Sequence, residues 1–371
     1  MICMSLPSPL TPPWRGNLVR ASSEQDAWLA SRPAEAPLCP HWPMVDAHHH
    51  LMLAPDHGVQ YGVHEALADI AVTGQTLLGT VQVESGTRYH RHAPAALQSV
   101  GEAEFAREVR VQSRALSHTE LAMAFVGHAD LSLGEAVAPV LDALQSASDG
   151  RLRGIRHATV HDSGEVGKTL LRPCPPGLLL TSAYQQGVAQ VRERGLVLDV
   201  WVFHHQLHEV LSLARRFDDL VIVLNHLGTP LGVAEYAPQT EAVRVHWQHG
   251  LRELATCPNV HIKIGGQGMP LAGWGFCHAA TPPDSLTLAA RHQAAWHVVL
   301  DTFGPGRGLC GSNFPIDRQS WGLDVIWNTW QRLCLPLSPD ERWALLCGNT
   351  ARTYALPLPP DTRQAYLQER P

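Results

Sequence analysis

Short apolar segments alternate with longer amphipathic segments from about residue 44 onward. Apolar runs of four to eight residues are typical of buried strands, and apolar residues at every third or fourth position are typical of helices. The predicted strands are residues 44–50, 77–84, 121–128, 152–158, 196–203, 220–226, 260–265 and 308–314. The predicted helices are residues 102–117, 134–147, 182–194, 206–217, 242–256, 286–303 and 323–333. This alternation indicates parallel strands joined by crossover helices.

The number of predicted strands favours a closed (β/α)8 TIM barrel over an open sheet. Eight strands complete such a barrel, and no G-x-G-x-x-G turn follows a strand, as an open dinucleotide-binding sheet would require. Residues 1–43 are rich in Pro, Ser and Ala, which predicts an irregular N-terminal arm with one helical turn near residues 26–31. We therefore expect an arm over residues 1–43 and an α/β barrel domain over residues 44–371.

The amino-acid composition limits the kinds of partner that this protein is expected to bind. The chain of 371 residues has a net charge of -6, which provides no basic surface for nucleic acid. It contains neither a signal peptide nor an apolar run long enough to span a membrane, so we expect a cytoplasmic protein without a membrane partner. Its eight cysteines include no C-x-x-C pair and are expected to be reduced. The sequence does not indicate an oligomeric state.

The 22 histidines are the compositional excess that points to chemistry. Side chains alternate along a strand, so His48 and His50 at the end of the first predicted strand face the same way and His49 faces the opposite way. Active sites of TIM barrels lie at the carboxyl ends of the strands. The pair is therefore predicted to bind one divalent metal ion, zinc above all. The structural alternative is a hydrogen-bonded histidine pair.

Other predicted strands also end in polar side chains. These residues are Glu84, His128, Arg156, His157, His204, Gln206, Asn225 and His226. Each has a structural explanation when taken alone, because a glutamate or an arginine can pair inside a barrel and a histidine can be a hydrogen-bonded core residue. Their recurrence at equivalent strand ends favours a shared site. His226 is the strongest candidate, since the turn that begins at Gly228 leaves its imidazole with little covering chain.

Residues 44–356 resemble the amidohydrolase-related family of barrel hydrolases, in its lactonase-like branch. The resemblance rests on Val45-Asp46-Ala47-His48-His49-His50-Leu51, Gly154-Ile155-Arg156, Asp199 with His204-His205-Gln206-Leu207, Val223-Leu224-Asn225-His226-Leu227-Gly228 and Gly311-Ser312-Asn313-Phe314-Pro315. The family comprises metal-dependent hydrolases, among them sugar and aromatic-acid lactonases, and some decarboxylases. It also contains members that work without a metal.

The resemblance implies roles for individual residues. His48, His50 and His204 are expected to bind a metal or to contact the substrate, and His226 to bind a metal or transfer protons. Arg156 and His157 would anchor a small anionic substrate, because a guanidinium suits a carboxylate. Contacts from Glu84 and Gln206 to the substrate are also expected. In the lactonase branch a carboxylate on strand eight deprotonates the attacking water.

The chain departs from the family pattern at that carboxylate, because Asn313 stands where the family has an aspartate. An amide can neither accept the proton nor bind metal as an anion. Asp317 lies four residues further along and is predicted to supply the base, the alternative being a helix cap on the surface. Three histidines and a water still suffice for one catalytic zinc, held by His48, His50 and either His204 or His226. Metal-independent catalysis is the alternative.

Three functions follow from these expectations. The first is hydrolysis of a lactone of a small carboxylic acid by an activated water. The second is metal-dependent decarboxylation on the same barrel, which Asn313 disfavours because a decarboxylating site of the family keeps the aspartate as a ligand. The third is a non-catalytic barrel that binds a small molecule, against which the convergence of His48, His50 and His226 argues.

Overall fold

The computed structural model describes residues 19–54 and 59–368, in which eight parallel strands form one sheet. They are β1 (Met44–His49), β4 (Leu77–Val83), β5 (Glu120–Gly127), β6 (Leu152–Arg156), β7 (Val197–Val200), β8 (Ile222–Leu224), β9 (Val260–Ile264) and β10 (Gly308–Cys310). They pair in chain order, and a parallel bridge between His49 and Phe314 joins the last strand to the first. The sheet is therefore a closed barrel, and the predicted (β/α)8 fold is confirmed.

Helices follow the strands and cover the barrel. They are α2 (Val63–Thr73), α3 (Val100–Leu116), α4 (Ala138–Ala147), α5 (Ser182–Glu193), α6 (Leu207–Arg216), α7 (Thr240–Ala255), α8 (Ser285–Phe303), α9 (Leu323–Cys334), α10 (Pro339–Trp343), α11 (Asn349–Thr353) and α12 (Thr362–Gln368). A π-helical turn at Ala344–Gly348 joins α10 to α11. Short 3-10 turns lie at Ala95–Leu97, Leu131–Val137, Gly167–Thr169, Leu178–Leu180, His204–Gln206, Asn225–Gly228, Ala234–Gln239, Pro270–Ala272, Phe276–His278 and Asp317–Gln319.

The eight predicted strands and seven predicted helices are all present; seven of the strands are shorter than predicted, and most helix bounds differ by one or two residues. The helix expected from residue 134 begins at Ala138, because Gly134 has a backbone φ of 61° and ψ of -137° that breaks the helix. The pattern missed α2 and the antiparallel pair β2 (Met52–Ala54) and β3 (Val59–Tyr61). Strands of three residues are too short to show a period in the sequence.

Two apolar layers stabilise the barrel. Small residues of the strands form one cluster: Ala47, Val81, Val83, Ala124, Val126, Val197, Val223 and Leu309, with Tyr354 from the segment after α11. A larger cluster joins the strands to the surrounding helices. Burial of these apolar side chains is the main favourable term in folding. The seven cysteines among the described residues are free thiols, and five of them are buried, as predicted.

The described part of the N-terminal arm contains a full helix, α1 (Ser22–Leu29), which is longer than the single turn that the sequence predicts. The arm crosses the loops that follow β9 and β10. Trp28, for example, donates its indole N–H to the carbonyl of Ala279. None of the helices in residues 19–54 and 59–368 has the length and hydropathy that a membrane span requires.

Candidate active site

The end of β1 brings two imidazoles together. The Nε2 atoms of His48 and His50 lie 3.1 Å apart, and His50 Nδ1 donates to the carbonyl of Val83 at 2.8 Å. Because that carbonyl can only accept, neutral His50 carries its proton on Nδ1, and its Nε2 accepts from His48. His49 lies on the opposite side, with its ring 5.9 Å from that of Tyr61, as strand alternation predicts.

Burial and nearby positive charge keep these rings neutral. Burial lowers the pKa of His50 to about 3, and the charge of Arg156 adds to the effect. The pKa of His48 lies well below its usual value, again mainly through burial and then through the charge of Lys263. The pair therefore offers neutral nitrogen donors and acceptors at physiological pH.

Arg156, at the end of β6, is buried and bound to Glu84. Its Nε donates to the Glu84 carboxylate at 2.9 Å, and its Nη2 lies 2.9 Å from the same carboxylate oxygen and donates to the Glu84 backbone carbonyl at 2.7 Å. Glu84 therefore already occupies the edge of the guanidinium that could hold a substrate carboxylate. The Nη1 amine has only long contacts, of 3.4 Å to His48 Nε2 and 3.5 Å to Asn225 Oδ1.

A buried network supports this guanidinium from inside the barrel. Asp199 accepts hydrogen bonds from Lys263 at 2.6 Å, from Asn225 at 2.9 Å and from Tyr354 at 2.7 Å. Lys263 and Asp199 are almost fully buried, so each compensates the charge of the other. Asn225 connects this network to Arg156. Lys263 is therefore a structural cation of the barrel interior.

His226 lies beside His48 after β8, with ring centroids 4.4 Å apart and the ring of Trp201 6.0 Å away. Its backbone φ is 53°, a conformation that places its side chain in the turn out of the strand. Gly266, after β9, makes room for the imidazole: a methyl group on Gly266 would lie 2.1 Å from His226 Nδ1. Burial keeps the pKa of His226 well below its usual value.

Asp317 lies in the short turn after β10 and is buried. Its carboxylate accepts hydrogen bonds from Asn313 Nδ2 at 2.7 Å and from the Gly268 backbone N–H at 3.0 Å. Burial raises its pKa to about 7, although these hydrogen bonds favour the ionised form. Gly268 packs closely, since a methyl group there would lie 2.7 Å from the Asp317 side chain. Asp317 and His226 therefore pack against the same segment, residues 266–268.

Two predicted site residues lie elsewhere. The ring of His204 contacts those of His205 and Tyr236, at 5.2 and 5.4 Å. The amide of Gln206 donates to the Thr159 carbonyl at 3.0 Å and accepts from the backbone N–H of His161 at 2.9 Å. The structure does not bring them to the group formed by the other histidines. Gln206 instead ties together two loops, since both ends of its amide are bonded to the backbone.

His157 lies next to the site. Its Nδ1 accepts from the Leu131 backbone N–H at 3.2 Å, and its ring meets that of His128 at 5.4 Å. Burial lowers its pKa to about 4. Its other ring neighbour is the buried Tyr184 at 5.7 Å, and a contact from His157 to the substrate stays a prediction.

The donors present do not fit the metal site predicted from the sequence. In the described part of the chain, no group of three or more His, Cys, Asp or Glu side chains could hold a metal ion. His204 is remote, and Asn313 supplies an amide. The Arg156 cation approaches His48 Nε2, the atom that a metal would use, to within 3.4 Å. His48, His50 and His204 are therefore not assembled into the predicted zinc site, and His226, the alternative third histidine, is the one that lies beside His48.

Sequence reasoning missed Arg172, in the loop after β6. Its guanidinium lies 3.9 Å from the Glu84 carboxylate and 5.6 Å from the centre of the Tyr89 ring. Its side chain is 57% exposed, unlike that of Arg156. A methyl group on Gly86 would lie 2.5 Å from Arg172, so the glycine makes room for it. The residues around Arg172 in the sequence give no signal for this contact, which the fold alone creates.

Comparison with known proteins adds four findings. The amidohydrolase family model matches residues 45–356. The chain is 31% identical over 230 residues to an uncharacterized protein of Sinorhizobium fredii, covering 62% of this chain and 68% of that one. It is 33% identical over 207 residues to an L-fucono-1,5-lactonase of Burkholderia multivorans, covering 55% of this chain and 63% of that one. A zinc-bound amidohydrolase structure from Burkholderia multivorans has a TM-score of 0.64 and 25% identity, and covers 85% of this chain and 100% of its own.

Proposed function

Because the chain belongs to the amidohydrolase family, we propose that it opens the ring of a small lactone by hydrolysis, with Asp317 as the general base. The family and the lactonase-named relatives support a hydrolase. The observation that carries the finer proposal is the buried Asp317 carboxylate beside Asn313, the position at which the family pattern has an aspartate. The carboxylate that the chain lacks at residue 313 is present one turn later.

Asp317 deprotonates the attacking water. A general base works best when its pKa is near the working pH, and burial raises the pKa of Asp317 to about 7. The bonds from Asn313 and Gly268 hold the carboxylate in place. As the water oxygen attacks the lactone carbonyl carbon, one of its protons passes to Asp317.

The Nη1 amine of Arg156 stabilises the negative charge that develops on the carbonyl oxygen. Its contact to Asn225 is at the long limit for a hydrogen bond, and His48 Nε2 carries a proton and does not accept from it, so its N–H groups remain available to a stronger acceptor. Its charge sits in a buried environment, where electrostatic stabilisation is stronger than in water. The neutral ring of His226 lies beside His48 and completes the polar wall.

Asp317 then returns the proton to the ring oxygen as the carbon–oxygen bond breaks. The product is a hydroxy acid, which ionises in neutral solution and releases one proton per turnover. The same carboxyl group thus serves first as base and then as acid, which a pKa near 7 allows in both directions.

No metal takes part in the proposed reaction. The family is typically metal-dependent, and a similar structure holds zinc. In this chain the Arg156 guanidinium lies 3.4 Å from His48 Nε2, and no group of three or more His, Cys, Asp or Glu side chains in the described residues could hold a metal ion. Arg156 supplies the positive charge that polarises the carbonyl.

A small anionic substrate fits this site best. Arg172 is exposed next to Glu84, and its contact at 3.9 Å leaves most of its donors open to an incoming carboxylate. Tyr89 places an aromatic face under the same guanidinium. We assign Arg172 the contact with the anion that the sequence assigns to Arg156.

A panel of neutral sugar lactones and carboxylated lactones tests the proposal, with turnover followed by proton release. Wild type is compared with Asp317→Asn, His226→Ala and Asp301→Asn, the last on the exposed face of α8. We expect turnover by wild type and Asp301→Asn, and a loss on the order of 10²- to 10⁴-fold in Asp317→Asn. Full activity in Asp317→Asn would contradict the role of the base. No turnover of any lactone by wild type would contradict the function and favour ligand binding or decarboxylation.

A further inference from the structure

The N-terminal arm is attached to the turn that carries Asp317. The backbone N–H groups of Val19 and Arg20 both donate to the side-chain oxygen of Gln319, at 3.0 and 2.8 Å. Arg20 also donates from its guanidinium to the Gln319 backbone carbonyl at 3.2 Å. Gln319 is buried and lies two residues after Asp317. The start of the described arm thus closes over the outer side of the turn.

A second set of contacts converges on Arg318. Its guanidinium binds Asp69 of α2 through two bonds, of 2.7 and 3.1 Å, and Asp26 of α1 at 2.7 Å. The Arg318 backbone carbonyl accepts a hydrogen bond from the buried side chain of Gln25, also in α1. Arg318 therefore joins the arm, the turn and α2. Within the turn, Asp317 contacts Asn313 and Gly268, whereas Arg318 and Gln319 contact the arm.

Polar contacts dominate this attachment. The buried residues of α1 are Gln25 and Trp28, so the helix contributes little apolar surface to the core. A cavity of about 50 Å³ remains between the arm, β3 and the turn. The arm is therefore attached to the turn mainly through hydrogen bonds and ion pairs.

We propose that the N-terminal arm positions Asp317 for catalysis, with Gln25, Arg318 and Gln319 as the positioning residues. This inference rests on the proposed function, in which Asp317 is the base. The turn has three residues, so a shift at Gln319 moves the Asp317 backbone as well. A displacement of about 1 Å in a catalytic group can cost 10²-fold in rate. The described part of the arm thus acts on the active site through the turn that carries Asp317.

Two variants break the attachment from opposite sides. Gln319→Ala removes the acceptor for the two backbone N–H groups, and Gln25→Ala removes the bond to the Arg318 carbonyl. We expect each to lower kcat by about tenfold with KM within twofold of wild type, because the base is displaced while the binding surface is retained. The inflection of kcat with pH should move to lower pH, because a loosened turn lets water reach Asp317.

Arg32→Ala is the matched control. Arg32 lies in the same arm and forms hydrogen bonds with Glu35 and the Pro283 carbonyl rather than with residues 317–319. We expect it to reduce thermal stability to a similar degree and to leave kcat and the pH profile unchanged. Circular dichroism melts of all variants check folding, and Gln25→Ala keeps the test available if Gln319→Ala does not fold.

The outcomes distinguish the role of Asp317 as the base from the role of the arm in positioning it. Wild-type kcat and pH profile in both Gln25→Ala and Gln319→Ala would overturn the positioning role, as would an equal loss of kcat in Arg32→Ala. If Asp317→Asn itself kept full activity, the proposed base would be wrong, whatever the arm variants did. Both roles are supported if kcat falls strongly in Asp317→Asn, falls less in Gln25→Ala and Gln319→Ala, and is unchanged in Arg32→Ala.

Discussion

The side-chain amide of Asn313 donates a 2.7 Å hydrogen bond to the carboxylate of Asp317, four residues further along the chain. Asn313 also has a backbone φ of 56°, and its backbone N–H donates to the His48 carbonyl at 2.8 Å. The amide at residue 313 therefore orients the carboxylate at residue 317. The pair combines, in two side chains, the positioning and the charge that one aspartate would supply.

The pH dependence of the reaction should reflect the ionisation of Asp317. Since the base must be ionised and its pKa is raised to about 7, we expect kcat/KM to rise roughly tenfold per pH unit below about 6 and to level off above about 8. Initial rates across pH 5 to 9, corrected for spontaneous lactone hydrolysis, measure the curve. Burial and the charge of Glu84 also raise the pKa of Glu102 to about 7, so Glu102→Gln is the control. If the inflection disappeared in Glu102→Gln, the titrating group would be Glu102 and its assignment to Asp317 would be wrong.

A methyl group at Gly266 should disable the site. It would lie 2.1 Å from His226 Nδ1, and Gly266 has a φ of 87° that other residues rarely adopt. We expect Gly266→Ala to lower kcat/KM by about 100-fold or more through displacement of His226. Gly306→Ala is the matched control, because a methyl group there meets no atom within 4 Å. Near-normal activity in Gly266→Ala would show that the position of His226 is unimportant.

Chelation should leave activity unchanged. The Arg156 guanidinium lies 3.4 Å from His48 Nε2, and its positive charge opposes binding of a second cation there. We expect full turnover after prolonged dialysis against a strong chelator, and no stimulation by added zinc, manganese or magnesium. Elemental analysis of the purified protein accompanies the assay. A stoichiometric metal whose removal abolishes turnover would refute the metal-free reaction.

Removal of Arg172 should discriminate between charged and neutral substrates. We expect Arg172→Ala to raise KM about tenfold or more for carboxylated lactones, the size of one lost charge-assisted hydrogen bond, and to leave KM for neutral lactones unchanged. Lys168→Ala is the control in the same loop, because Lys168 pairs with Glu165. Equal effects of Arg172→Ala on both classes of substrate would argue against an anion contact.

The Glu84–Arg156 pair should make stability depend on acid pH. Burial alone would raise the pKa of Glu84, but the charge of Arg156 outweighs it and lowers the pKa to about 2. Because the pKa of Glu84 in the folded protein is below its ordinary value of 4.5, the ionised carboxylate stabilises the fold above pH 4.5. This stability is lost as the pH falls from 4.5 toward 2. The loss is about 3 kcal/mol. Urea unfolding between pH 2 and 6 should show this loss in wild type and not in Glu84→Gln.

The sequence by itself determined the barrel, because the strand and helix periods are local properties that repeat eight times. It also placed His48, His50 and His226 at strand ends, since alternation along a strand decides which side chains share a face. The family resemblance, together with the four-residue spacing from Asn313, predicts Asp317 as the base, and that role stays a prediction.

Only the tertiary structure decided what these residues contact. Glu84 and Arg156 are 72 residues apart in the chain, and their pairing took the guanidinium edge expected to bind substrate. His204 and Gln206 follow β7 in a turn that leads them toward other loops, so no strand pattern could exclude them from the site. The arm of residues 19–43 contacts residues close to 300 positions away. Such contacts depend on how the barrel closes, and local periodicity carries no information about them.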